Sequence, residues 1–145
     1  MSHSNMTRNT VADLRIMEVP QIKDTRGNLA VVEAETIPFE IKRVYYLYDV
    51  PSDSFRGGHA HKKLQQFLIP LSGSFDVVTK DGFGNEKTFM LNKPNKGLLI
   101  VPGIWRELTN FSSGAVCLVL ASTKYSEEDY IRDLNSFIDY KNKKQ

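Results

Sequence analysis

The stretch RGGHAHKKLQQFLIPLSG, from Arg56 to Gly73, sets two histidines one residue apart, between a pair of glycines and an apolar run. Side chains alternate across a strand, so His59 and His61 point to the same face if this stretch is extended. Gly57 and Gly58 let the backbone bend there or approach a ligand closely. Two imidazoles aimed into the mouth of a small barrel can bind a metal, exchange protons or serve as structural hydrogen-bonding groups. The residues around them decide among the three.

Working outward, β-type segments dominate. NLAVVEAE (Asn28–Glu35) follows the turn signal Asp24-Thr-Arg-Gly27, and RVYYLYDV (Arg43–Val50) is rich in β-branched and aromatic residues and stops at Pro51. Gln65–Leu71 continues the histidine stretch. SFDVVTK (Ser74–Lys80) and KTFML (Lys87–Leu91) flank the hairpin loop DGFGNE. Gly97–Pro102 and Ala115–Ala121 read as buried strands, with a short strand and turn in GIWRELTNFSSG between them. Only the C-terminal SEEDYIRDLNSFIDYKNKK has helical spacing, through Tyr130, Leu134 and Phe137, and Ser126 with Asp129 resembles its capping box. Short strands at spacings of about 8–12 residues, closed by one helix, predict an all-β sandwich or jelly-roll barrel. Residues 1–10 lack periodicity and read as a flexible tail, which leaves 11–145 as a single domain.

The bulk composition excludes several functions. A chain of 145 residues suits one domain with a real core. A net charge of +2 supplies no global field for nucleic acid or an acidic membrane, so any basic site is local. The apolar run Ala115–Ala121 is too short to span a bilayer, and the polar N-terminus lacks the apolar centre of a signal peptide. The single cysteine, Cys117, lies inside that run and reads as a small core residue. These features together predict a cytoplasmic protein.

The histidine stretch resembles the first cupin motif: HAH, then Gln66 where that motif has glutamate, then six residues to Gly73. PGIWRELTN stands for the second motif, with Arg106 at the position of its last histidine and Asn110 at the motif spacing. Two of the four metal-ligand positions are therefore altered. Glutamine is a weak neutral ligand, and a guanidinium has no lone pair to give. Two histidines alone make a poor site for zinc, iron or manganese, so no metal is expected. What remains is two histidines and an arginine facing a cavity. A guanidinium suits an anion or an oxygen gaining negative charge, and histidine takes and returns protons near neutrality. The set fits proton transfer beside an enolate.

The resemblance extends further. DTRGNLAVVE, IPFEIKRVYYLYDVP, the histidine stretch, GLLIVPGIWRELTNFSS and EEDYIRD are, in order, similar to the sugar-nucleotide 3,4-ketoisomerases, metal-free cupins acting on dTDP-4-keto-6-deoxyglucose. The resemblance implies a cupin jelly-roll barrel with a short C-terminal helix, and commonly a homodimer with exchanged strands. It implies no cofactor, and a product that feeds the making of 3-amino sugars. Ketone migration from C4 to C3 passes through an enediol and needs a base, a proton shuttle and a donor to the enediolate oxygen. The resemblance makes the histidines central, with His61 as the base at C3 and His59 as its partner. Tyr45 is the expected donor, because Arg43 shares its strand face while Tyr46 and Tyr48 lie on the other. Arg26 in the DTRG turn, Arg43 and Arg106 are the expected binders of the diphosphate-bearing substrate. The competing readings are a cupin-type nucleotide-sugar epimerase, a non-catalytic nucleotide-sugar-binding cupin and a metal-dependent oxygenase. The epimerases rely on a His–Asp pair, and no such pair is visible around His59 and His61 in the sequence.

Overall fold

A two-residue period of burial runs through the chain, as a sheet covered on one face requires. Phe75–Lys80 alternates buried and half-buried residues, and Arg43–Leu47 alternates half-buried and exposed ones. A computed structural model describes residues 8–54 and 56–143. In chain order its strands are β1 (Arg15–Glu18), β2 (Gln21–Asp24), β3 (Gly27–Ala30), β4 (Arg43–Leu47), β5 (Arg56–His61) and β6 (Gln66–Ser72). There follow β7 (Phe75–Lys80), β8 (Glu86–Leu91), β9 (Lys96–Ile100), β10 (Trp105–Thr109), β11 (Val116–Ala121) and β12 (Tyr130–Ile131), then the helix α1 (Leu134–Asn142).

Two five-stranded sheets face each other, in the orders β1-β9-β6-β11-β4 and β12-β5-β10-β7-β8. All their named pairings are antiparallel, and from β4 to β12 consecutive strands switch sheets except for the β7–β8 hairpin, which is the jelly-roll arrangement. Phe75, Val77, Leu98, Ile100, Leu108 and Cys117 fill the space between the sheets. Burial drives the Cys117 thiol up to about 12, so it stays protonated as an apolar filler.

The outer faces are apolar too. Segment 31–41 lies over the first sheet, packing Val32, Ile37, Phe39 and Ile41 with Phe67, Ile69, Leu99 and Leu120. On the second sheet, α1 seats the fully buried Phe137 against Trp105, Ala60 and Ile131. Burying a phenyl ring in this way stabilises the helix by about 2–3 kcal/mol. The Lys141 ammonium, near the end of α1, donates to the carbonyls of Asn9 and Gly103 at 2.6 Å each. It ties the helix, the N-terminal segment and the β9–β10 turn together.

Three local expectations change. NLAVVEAE divides: β2 and β3 form a two-stranded hairpin, and the chain leaves the strand conformation after Ala30. The helix starts later than its periodicity suggests. Ser126 makes no side-chain cap; Glu127–Asp129 is a 3-10 turn, and Tyr130–Ile131 pairs with β5. The carboxylate of Asp129 is taken by the turn after β5, accepting from the backbone N–H groups of Lys63 (2.8 Å) and Leu64 (3.2 Å). The cap of α1 is Asp133, which accepts from the N–H of Ser136 at 2.9 Å. Residues 1–7 of the expected tail lie outside the described residues. Asn9 and Thr10 are held: Asn9 donates to the carbonyl of Pro102 and Thr10 caps the first 3-10 turn.

Removing the two candidate caps separates these readings. Asp133→Ala should lower unfolding stability by about 1 kcal/mol, while Ser126→Ala leaves it within about 0.3 kcal/mol, measured by urea denaturation. Equal losses, or a larger loss at Ser126, would place the helix start where the periodicity suggested.

Candidate active site

Between the two sheets lies a cavity of about 430 Å³ whose lining includes His59, Tyr45, Arg43, Arg106, Gln66 and Tyr130. Strand register explains why these residues meet. On the second sheet, Arg106 of β10 lies opposite His59 of β5, and Tyr130 of β12 lies opposite His61. On the first, Tyr45 of β4 lies opposite Val119 of β11, and Gln66 of β6 opposite Ala121. Gly58 marks an irregularity in β5. The pairing steps from His59 opposite Arg106 to Gly57 opposite Glu107, so Gly58 is the extra residue of a β-bulge, with φ 65°. Glycine takes that conformation without strain, and a bulge re-aims the side chain beside it.

Arg106 is 2% exposed and bridges the sheets. Its Nη1 donates to Gln66 Oε1, while Nε and Nη2 both donate to the Ile104 carbonyl. Gln66 in turn donates through Nε2 to the Tyr45 hydroxyl at 3.0 Å. The chain runs in one direction: Tyr45 accepts from Gln66, which leaves its own hydroxyl proton to give. Burial raises the Tyr45 pKa, so the phenol stays protonated. Burial also pulls Arg106 down to about 10, a value that still keeps it charged at neutral pH. Arg43 stacks over the Tyr45 ring, 5.0 Å from its centre, and its Nε is buried with no hydrogen bond to any described residue.

The two histidines differ. Their rings meet edge to face at 4.8 Å, and Tyr130 packs against both, at 5.1 Å from His59 and 4.4 Å from His61. His59 lines the cavity, whereas His61 is fully buried and does not. The N–H of Gly103 fixes the backbone carbonyl of His61 at 2.8 Å, and His61 Nδ1 lies 3.1 Å from Asp129 Oδ2. Burial, helped by the nearby Arg106, holds the His61 pKa far below its usual value, so the ring is neutral.

The remaining candidate is elsewhere. Arg26 sits on the β2–β3 hairpin with its side chain 88% exposed, paired with Asp24 at 2.7 Å, and does not line this cavity of its own chain. Trp105 packs on Phe137 and donates to Glu107 at 2.9 Å. Among the described residues, no three His, Cys, Asp or Glu side chains are grouped as a metal site.

Residues 12–142 match the family model FdtA, described as "WxcM-like, C-terminal". Over 127 residues the chain is 44% identical to the TDP-4-oxo-6-deoxy-alpha-D-glucose-3,4-oxoisomerase of Aneurinibacillus thermoaerophilus, covering 87% of this chain and 91% of that one. The chain belongs to the FdtA family of sugar 3,4-ketoisomerases. Among solved structures, a 3,4-ketoisomerase from Helicobacter canadensis is 49% identical with a TM-score of 0.86, covering 90% of this chain and 98% of that one. A sugar 3,4-ketoisomerase from Thermoanaerobacterium thermosaccharolyticum, in complex with TDP, is 45% identical with a TM-score of 0.88, covering 90% and 96%. The fold of this FdtA-family member is thus the all-β cupin jelly roll.

Sequence reasoning missed three residues here. Tyr130 and Arg132 line the cavity, with the Arg132 guanidinium 4.1 Å above the Tyr130 ring. Asp129 lies against His61, so the His–Asp pair that the sequence reading found missing is present, supplied by a residue 68 positions away in the chain. EEDYIRD contained all three, but as a presumed helix it offered no reason to bring them to β5. The Arg106–Gln66–Tyr45 chain predicts that Gln66→Met, which keeps the volume, leaves two buried polar groups without partners. A loss of about 2 kcal/mol in denaturation is expected, with the fold retained in circular dichroism. Unchanged stability would show that the chain carries no weight.

Proposed function

We propose that the protein is a TDP-4-keto-6-deoxyglucose 3,4-ketoisomerase, moving the ketone of the sugar from C4 to C3. The observation that carries this is the meeting, in one cavity, of an imidazole, a hydroxyl with a proton to give and three arginines. The names of the relatives at 44–49% identity supply the substrate.

Two protons must move. One leaves C3 and arrives at C4; the other leaves the C3 hydroxyl and ends on the C4 oxygen. His59 and His61 are the proton-transfer pair. The sequence reading puts the C3 base at His61; the burial of the rings favours His59, which lines the cavity, with His61 behind it. His59 takes the C3 proton and returns it to C4. Tyr45 donates to the C4 oxygen as the enediol forms, and recovers a proton from the C3 oxygen as the new ketone forms. The Arg106 and Arg43 charges stabilise the enediolate or the substrate diphosphate.

A homodimer with exchanged strands belongs to the same reading. Among the described residues the β2–β3 hairpin pairs with no other strand, and Ile22 and Leu29 on it are 63% and 55% exposed. The edge strand β4 shows Val44, Tyr46 and the neighbouring Tyr48 to solvent. Exchange of the hairpin would carry Arg26 towards the nucleotide of the partner subunit's site. The 3-keto product is a substrate for an aminotransferase, and the work is that of a cytoplasmic enzyme.

The test follows the substrate by proton NMR in D2O. The preparation should sediment as a dimer rather than as a 16.5 kDa monomer. It should form a 3-keto sugar carrying deuterium at C4, with deuterium at C3 in the 4-keto sugar re-formed by the reverse reaction, and His59→Asn should cut turnover by at least about 10²-fold. Exchange at C3 and C5 without ketone migration would overturn the reading in favour of an epimerase. Binding with no exchange would leave a non-catalytic module.

A further inference from the structure

Asp129 ends a 3-10 turn far from the histidines in sequence, yet its side chain is only 13% exposed against His61. Both carboxylate oxygens are engaged. Oδ1 accepts from the N–H of Lys63, and Oδ2 accepts from the N–H of Leu64 and meets His61 Nδ1. Its own carbonyl accepts from the N–H of Lys62 at 3.0 Å. With these backbone donors fixing its orientation, the carboxylate presents only acceptor character to the imidazole.

We propose that Asp129 is a positioning residue that holds His61 in the Nδ1–H tautomer and leaves the lone pair on Nε2. The inference rests on the ketoisomerase reading for its effect on turnover, but not for the tautomer itself. His61 Nε2 is buried and makes no hydrogen bond to any described residue. A buried acceptor left open in this way costs about 1–3 kcal/mol and marks a place where function overrides stability.

The chemical use follows from the charges around the ring. Arg43, Arg106 and Arg132 all act on His61, as does His59. Asp129 is the acid that meets the ring directly. When His59 takes the C3 proton, a new positive charge appears beside these cations. A neighbouring imidazole with an open lone pair, backed by a carboxylate, stabilises that charge. The opposite tautomer would put an N–H in place of the lone pair at Nε2. Tyr130 packs against both rings and limits their rotation.

The alternative is that Asp129 only staples the 62–64 turn, and Asp129→Asn distinguishes the two. With its oxygen on the Lys63 N–H, the amide gives up the Leu64 bond and turns its NH2 group to His61, which forces Nδ1 to accept; a variant ring that stays Nδ1–H overturns the inference. ¹⁵N-histidine NMR of the dimeric protein without substrate should show His61 as Nδ1–H in the wild type and Nε2–H in the variant. Turnover should fall in kcat by about 10²–10⁴-fold with KM within about threefold, as for the analogous change behind a catalytic histidine. A wild-type Nε2–H signal overturns the inference and needs no variant, so a variant that fails to fold leaves the test standing. A flipped tautomer with near-normal kcat also overturns it. The tautomer measurement involves no substrate, so failure of the ketoisomerase reading would appear separately, as wild-type protein without turnover.

Discussion

A buried guanidinium held by neutral oxygens governs this structure. Arg106 is almost fully enclosed, and its hydrogen bonds among the described residues go to an amide and a backbone carbonyl. Burying a charge without an opposite charge is unfavourable unless other groups stabilise it or a ligand arrives. The cavity is therefore poised for an anion, or for an oxygen that becomes one. Arg106 and Gln66 occupy two positions at which a cupin metal site would take its ligands. Here they bond to each other, so a fixed organic cation stands where the cupin motif that the sequence resembles has two metal ligands. The chemistry left to the site is movement of protons past a positive charge.

The fold serves this arrangement by register. One sheet brings His59, Arg106 and Tyr130 into line, the other Tyr45 and Gln66. The hydrogen bond from Arg106 to Gln66 joins them across the core. The bulge at Gly58 sits beside His59, where a uniform strand would fix the side chain by the pleat alone. Behind the site, the Gly103 N–H holds the His61 carbonyl, and the Gly103 carbonyl is gripped by Lys141 from the terminal helix. The C-terminal segment thus supports the site as well as covering it.

Much of this was legible in the sequence because it is written in local spacing. The HAH pair, the alternation of RVYYLYDV and the short strands between turns follow from a two-residue period, and that period places Tyr45 with Arg43 facing inward. What stayed hidden depends on contacts distant in the chain. Asp129 and Ser126 have the spacing of a capping box, but Asp129 is recruited by backbone donors over sixty residues away, and the helix moves to Asp133. Tyr130 and Arg132 join the cavity only because β12 pairs with β5. Arg26 is the converse: its motif is plain in sequence, yet within one chain it meets Asp24 rather than the cavity.

The measurement that tests the central claim most directly is turnover of protein stripped of metal by exhaustive chelation, with bound metal assayed by mass spectrometry. If the Arg106 guanidinium does the work that a metal would do in another cupin, ketone migration proceeds at an undiminished rate with no stoichiometric metal present. Activity lost on stripping and restored by a divalent cation would contradict that account.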